Sequence, residues 1–228
     1  MKIHFTFDTD WCPDYMIEDV LNELKKLNIK ATFFITNKSD IIDELIKQKH
    51  SIGIHPNLVM DKNIKQSLKK IEKLIDIIPN AKFIRTHALH MNTYLLINIF
   101  KEFKNIQYDF STLTYKSKNI ELCEFIFDKI KIRRVNYNWE DSIAIHDKNF
   151  NWGIAKFFSK KNIYNFHPIH TFFNTPSYKF YVKLKKELKI NKNFLNEKKF
   201  KYKKQGVKNF FDTILKKSDY QNNILNLL

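Results

Sequence analysis

Asp8 and Asp10 stand one residue apart in the run Phe5-Thr6-Phe7-Asp8-Thr9-Asp10-Trp11. On a regular strand, residues i and i+2 share a face, and two carboxylates on one face repel until a cation or a raised pKa relieves them. A metal beside Asp10 and a base role for Asp8 would meet that demand. Imidazoles recur at comparable places, with His55 before Pro56-Asn57, His87 after Arg85-Thr86, and His167 and His170 flanking Pro168-Ile169. Oxygen and imidazole donors together suit Zn²⁺, Co²⁺, Mn²⁺ or Ni²⁺ and do not select among them. Each feature has a plainer reading. A strand-terminal aspartate is often a helix N-cap, and a single histidine is usually a hydrogen-bonded core or surface residue, the role assigned to His4, His50, His90 and His146.

The chain's periodicity explains how such residues would meet. Residues 3–7 alternate apolar and polar side chains and predict a strand ending at Asp8. Ile17, Val20, Leu21 and Leu24 form a stripe that predicts a helix over 15–27, capped by Asp14. Strand, helix, strand, helix, strand then follow at 31–36, 40–48, 51–54, 63–77 and 82–86, and a further helix at 92–103. This alternation implies right-handed βαβ units and a parallel sheet or barrel. In such folds functional groups gather at the carboxyl ends of strands, where Asp8, His55, Arg85 and His167 are all expected. Beyond residue 103 the pattern weakens. Residues 107–110, 125–135, 142–145 and 161–166 are strand candidates, and the last forty residues read as surface extension closed by a helix over 207–215.

Composition narrows the function classes. The chain has 228 residues, 43% hydrophobic and 15% aromatic, enough for a sizeable core. Its only glycines, Gly53, Gly153 and Gly206, are too scattered for a Rossmann fingerprint, a Walker A loop or a GxSxG nucleophile elbow. Cys12 and Cys123 support neither a disulfide framework nor a thiolate zinc site. The first apolar stretch is too short and too polar for a signal peptide or membrane span, so a cytoplasmic location is expected. The net charge of +16 is carried almost wholly by lysine, the only arginines being Arg85, Arg133 and Arg134. Fourteen of the lysines fall between Lys179 and Lys217, against Glu187, Glu197 and Asp212. Bidentate recognition of phosphates and bases favours arginine, so no nucleic-acid partner is expected; a solvated basic face, with peripheral contact to an anionic membrane as the alternative, is.

Five segments in order, 5–11, 31–36 (Ala-Thr-Phe-Phe-Ile-Thr), 50–57 (His-Ser-Ile-Gly-Ile-His-Pro-Asn), 85–87 and 165–170 (Asn-Phe-His-Pro-Ile-His), resemble the NodB-homology polysaccharide deacetylases of carbohydrate esterase family four, especially the divergent WbmS-like group. The resemblance covers about the first 175 residues and implies a distorted (β/α) barrel over 1–175. Residues 176–228 are then a basic extension and closing helix packed on the same domain.

The resemblance also implies an activity, the removal of N-acetyl groups from sugars with a bound divalent metal, zinc for preference. It makes Asp8 the general base, Arg85 the residue that orients it and His167 the general acid, with His170 as competing candidate. Asp10 and His55 match metal ligands. The family's second metal histidine falls four residues after the first, where this chain has Val59. His87 is the candidate replacement, with Asn57 and Asp61 as substitutes. Trp11, Asn57, Trp139, Asp141 and His170 are expected to line the substrate site, Tyr137 could also stack on a sugar ring, and Asp141 could instead anchor Arg85. The expected substrate is a nucleotide-linked or lipid-linked N-acetylated saccharide in surface polysaccharide synthesis. The rival reading is an inactive barrel that binds a saccharide or a partner enzyme.

Overall fold

Seven-residue β1 (Lys2–Asp8) is buried from Ile3 to Asp8, on both of its faces. That is the signature of a parallel strand covered on both sides. The computed structural model describes residues 1–190, 199–216 and 219–228, the side chains at 189 and 190 excepted, so the expected basic extension falls outside the described residues at 191–198 and 217–218. After β1 come α1 (Asp14–Lys26), β2 (Thr32–Ile35), α2 (Ile41–Lys47), β3 (Ser51–Ile54), α3 (Ile64–Ile77), β4 (Phe83–Ile84) and α4 (Thr93–Glu102). Helix α1 buries Met16, Ile17, Val20, Leu21 and Leu24, the stripe its spacing predicts. Asp14 is not its cap. Pro13 holds that position, and Asp14 accepts a hydrogen bond from the Ser39 hydroxyl at 2.6 Å. Asn63 and Asn92 cap α3 and α4 by accepting the amides of Gln66 and Leu95.

The second half departs further from expectation. Strand β5 (Tyr108–Leu113) is followed by β6 (Leu122–Phe127) and β7 (Ile130–Tyr137), so residues 125–135 are not one strand. They turn at Asp128 and Lys129, both with positive φ, as a two-residue hairpin demands. Residues 142–145 are not a strand either. Two-residue β8 (Trp139–Glu140) leads into the single turn of α5 (Asp141–Ala144). Strand β9 (Lys161–Phe166), α6 (Pro168–Phe173), α7 (Tyr178–Ile190), α8 (Val207–Leu215) and β10 (Asp219–Tyr220) complete the order. No helix among the described residues is long and apolar enough to cross a membrane.

The sheet runs β6-β7-β5-β4-β3-β2-β1-β9-β8, parallel throughout except at the β6/β7 hairpin. It curls into an open half-barrel with β6 and β8 at its edges, the distorted barrel that was expected. Strand β1 is central. Its residues 2–7 pair with 161–166 of β9, Thr6 to Asp8 pair with β2, and β10 takes the side that β2 leaves free at Lys2 and Ile3. Beneath it, Phe210 and Phe211 of α8 pack among Phe5, Phe7, Phe166 and Trp139.

Candidate active site

Strands β1, β3, β4 and β9 deliver Asp8, His55, Arg85 and His167 to one end of the sheet. Asp8 is the last residue of β1, while His55, Arg85 and His167 each follow the last residue of their strand. These four are buried, and Asp8, Asp10, His55, His87 and His167 line a single cleft of about 280 Å³. A larger cleft of about 500 Å³, between α7 and residues 199–204, contains none of the candidate residues.

Asp8 is held by two donors. Arg85 Nη1 donates to Oδ1 at 3.0 Å, and Asn165 Nδ2 donates to Oδ2 at 2.8 Å. Arg85 also donates to Thr6 Oγ1 and Asn165 Oδ1, at 3.1 and 2.6 Å, and its guanidinium lies between the rings of Phe34 and Tyr137, 4.2 and 4.3 Å from their centres. Burial alone would raise the Asp8 pKa. The charge of Arg85, followed by those of His55 and His167, outweighs it, so the carboxyl stays below its ordinary range and ionised.

Asp10 meets the histidines by leaving the strand. Its φ of 41° places it in the left-handed region, in a turn after β1. Strand alternation therefore does not bring the two carboxylates together, as the spacing had suggested. Oδ1 of Asp10 lies 3.2 Å from His55 Nε2 and 2.9 Å from His87 Nδ1. His87 does not arrive on a continued strand either, because β4 ends at Ile84. A short 3-10 turn, His87–Leu89, with Ala88 at φ 52°, swings the ring inward, and its amide donates to the Pro56 carbonyl at 3.0 Å. His55 Nδ1 donates to the Arg85 carbonyl at 2.7 Å, which turns Nε2 towards Asp10; burial would lower its pKa, but the carboxylates of Asp8 and Asp10 outweigh it and raise it.

One carboxylate oxygen and two imidazole nitrogens, all within 4.8 Å of one another, are a donor set that suits a divalent ion of the zinc type. The surroundings agree. Among the described residues Asp10 has no lysine or arginine within ion-pair distance, and its carboxylate is faced by the imidazoles of His55, His87 and His167, which hold its pKa well below the ordinary value against the effect of burial. Val59 is 43% exposed at the surface. Asn57 and Asp61 do not join the cluster. Asn57 Oδ1 accepts the Val59 amide, and Asp61 pairs with Lys70 and Ser67.

On the other side of the cleft, His167 Nδ1 donates to Asp141 Oδ1 at 2.6 Å, and its backbone amide donates to Asp141 Oδ2 at 2.8 Å. Asp141 therefore anchors His167 and not Arg85, and being fully buried behind it has no surface to offer a substrate. His167 Nε2 points into the cleft, 3.6 Å from Asp10 Oδ2 and 3.9 Å from Asp8 Oδ2. Burial would lower the His167 pKa, but Asp141 first, then Asp10 and Asp8, push it well above the ordinary value, so the ring holds its proton. His170 goes the other way. Burial and the neighbouring charge of His167 hold its pKa well down, which makes it a neutral wall of the cleft and a poor proton donor.

The remaining expectations divide. Trp11 is 43% exposed at the rim of the site, within reach of Lys185. Trp139 is fully buried against Phe166 and Phe210, so no sugar can reach its ring. Tyr137 is likewise buried; its ring covers Arg85 and its hydroxyl donates to Glu140. Sequence reasoning gave no role to Asn165 or Thr6, nor to Glu140, Ser142, Tyr181 and Lys185, which line the cleft. Asn165 and His167 have the same i, i+2 spacing as Thr6 and Asp8, and Thr6 pairs with Asn165 across the β1/β9 ladder, so two matching polar doublets were the available signal.

A family model described as WbmS-like polysaccharide deacetylase matches residues 5–185, ten residues beyond the region expected to carry the resemblance. Among solved structures, a polysaccharide deacetylase involved in O-antigen biosynthesis from Bordetella bronchiseptica is 23% identical, with 94% of this chain and 89% of that chain covered and a TM-score of 0.78. The peptidoglycan deacetylase PdaC from Bacillus subtilis is 25% identical over 41% and 52% of the two chains, with a TM-score of 0.37. A family 4 carbohydrate esterase from Bacillus anthracis is 17% identical over 84% and 77%, with a TM-score of 0.43. Of these three likenesses the first alone is strong enough to bear on the fold. No curated protein matches the chain in sequence.

Proposed function

Because the chain belongs to the WbmS-like polysaccharide deacetylase family, we propose that it is a metal-dependent N-deacetylase acting on an N-acetylated saccharide precursor of a surface polysaccharide. The observation that carries this reading is the convergence of Asp8, His167 and an Asp10, His55, His87 donor set on one cleft. Asp10, His55 and His87 would hold a divalent ion there, and its chemistry would be that of a Lewis acid towards the acetyl carbonyl and water.

The chain's own groups do the rest. Asp8, kept ionised and oriented by Arg85 and Asn165, takes the proton of the attacking water through its carboxylate. His167, charged and aimed by Asp141, gives the Nε2 proton to the departing amine. An amide nitrogen is too poor a leaving group without that proton. Asp8 and His167 thus have opposed pKa shifts, a base held ionised and an acid held protonated at the same pH. Nucleotide-linked or lipid-linked N-acetyl sugars are the substrate forms this reading favours. A cytoplasmic site of action belongs to it too, supported by the unpaired thiols of Cys12 and Cys123.

The test is metal content together with acetate release. Wild type reloaded with Zn²⁺, Co²⁺ or Mn²⁺ is expected to hold about one ion per chain and to release acetate from an N-acetylated sugar donor. Asp10→Asn, His55→Ala and His87→Ala are each expected to lose the ion. If only His87→Ala keeps it, the third ligand is another residue. No acetate from any donor with metal bound would overturn the hydrolase and leave saccharide binding as the role.

A further inference from the structure

Helix α7 carries a lysine into the catalytic cleft. Lys185 is half-buried and lines the same cleft as Asp8, Asp10 and His167. Its ammonium lies 5.3 Å from the centre of the Tyr181 ring and 6.0 Å from that of Trp11, so two aromatic faces steady it. Tyr181 and Lys185 are four residues apart and share a face of the helix. Leu184 and Leu188 are buried in a cluster with Met16 and Ile169, which fixes the helix against α1 and α6.

Among the described residues Lys185 has no carboxylate partner and no hydrogen bond, although Asp10 and Glu140 line the same cleft. Lys208 pairs with Asp212, and Lys183, on the side of α7 that lines the larger cleft, is exposed to solvent. Removing a cation partly from water without a counter-charge is costly, and an anion arriving with the substrate recovers that cost. A neutral saccharide would need hydroxyl and amide partners at this position. It could accept hydrogen bonds from this ammonium, but it would bring no charge to offset the ammonium's partial burial.

We infer that Lys185 is a specificity residue that binds an anionic group, phosphate or carboxylate, carried by the N-acetylated saccharide. The inference rests on the deacetylase reading for the identity of the sugar, but on the cleft alone for the anion. It makes the site one for charged sugars, and it places that selectivity on a helix that neither the motifs nor the periodicity had flagged.

Equilibrium binding to the zinc-loaded full chain separates the two claims. The probes are N-acetylglucosamine, its 1-phosphate, and N-acetylglucosaminuronic acid. At least one anionic probe should bind wild type about tenfold or more tightly than the neutral parent. Lys185→Met should abolish that preference, read as the ratio of anionic to neutral binding within the variant. Lys185→Arg should restore most of it, and Lys183→Met should behave as wild type. Which probe is preferred identifies the anion as a phosphate or a carboxylate. An unchanged preference in Lys185→Met would overturn the inference, because the anion would then be reading the metal, and so would equal binding of all three sugars by wild type. Acetate release, screened on the same protein across N-acetylated sugar donors, keeps the readings apart: anion preference with no acetate from any donor would fell the deacetylase and leave Lys185 in its role.

Discussion

In the proposed mechanism Asp8 serves as a base only while both of its oxygens are occupied by donors that hold it ionised and still. Asn165→Ala removes one of the two and leaves a hole beside Thr6. The expected result is a fall in kcat of about 10²-fold from misplacement of the base, with metal content unchanged. Elemental analysis and initial rates on one sample check both halves. Asp141→Asn is expected to cost more, about 10²–10⁴-fold in kcat, because the amide can neither hold the His167 proton nor fix its tautomer. Metal content should again be retained, and a variant that loses it would show that Asp141 supports the donor set instead. At this scale the sequence disclosed strand-terminal residues well and turn-borne ones poorly. Asp8, His55 and His167 follow from where strands stop. The meeting of Asp10 and His87 depends on left-handed backbone at Asp10 and Ala88, which no spacing rule supplies. Burial was equally hidden. Trp139 and Asp141 sit next to the cleft in sequence yet behind its wall in space.

Among the elements, the alternation of strands and helices up to residue 103 was legible because the helices there carry apolar stripes and the strands are short apolar runs buried over most of their length. The hairpin β6/β7 was not, because it lies at the sheet's edge, where Leu122, Ile126 and Phe127 are exposed and polarity no longer reports burial. Helix α7 was hidden by its lysines, whose number masks the buried Leu184 and Leu188. Two elements yield predictions. In β3, a Cβ on Gly53 would lie 2.8 Å from both the Phe34 ring and the Phe83 carbonyl. Gly53→Ala should therefore destabilise by about 1–3 kcal/mol, read as a lower midpoint in denaturant. It should also slow catalysis, since Phe34 is one face of the Arg85 sandwich.

In β1, His4 donates from Nδ1 to the Gln221 carbonyl and accepts at Nε2 from the Thr32 hydroxyl, a neutral arrangement. Burial, the largest cause, takes its pKa from 6.5 to about 4; the Gln221 carbonyl opposes the shift, and the charges of Arg85 and His50 add to it. The folded pKa is below the unfolded one, so the unfolded chain binds the extra proton first. This stabilisation is complete above pH 6.5, is lost as pH falls towards 4, and amounts to about 3 kcal/mol at most. Melting of wild type and His4→Gln across that window should show a shallower pH dependence in the variant, and parallel curves would remove His4 as the cause.

For the molecule as a whole, the region beyond residue 175 is structural. Phe210 lies 4.7 Å from Trp139 and 5.1 Å from Phe150 between ring centres, and Phe211 lies 5.0 Å from Phe166. Phe210→Ala is expected to cost about 3–5 kcal/mol, and a chain ending at residue 175 should lose cooperative thermal unfolding altogether. A sharp melt from that fragment would show that the barrel needs no closing helix. The position of β1 has one more consequence. Asp8 and Asn165 touch across the sheet although 157 residues separate them. During synthesis β1 leaves the ribosome long before β9 exists, so one side of a strand destined for the middle of the sheet stays an open edge for most of translation. The strand that carries Asp8 is thus an exposed template for wrong pairing in the nascent chain. The candidate site is completed late, when β9 closes that edge and brings Asn165 and His167 with it.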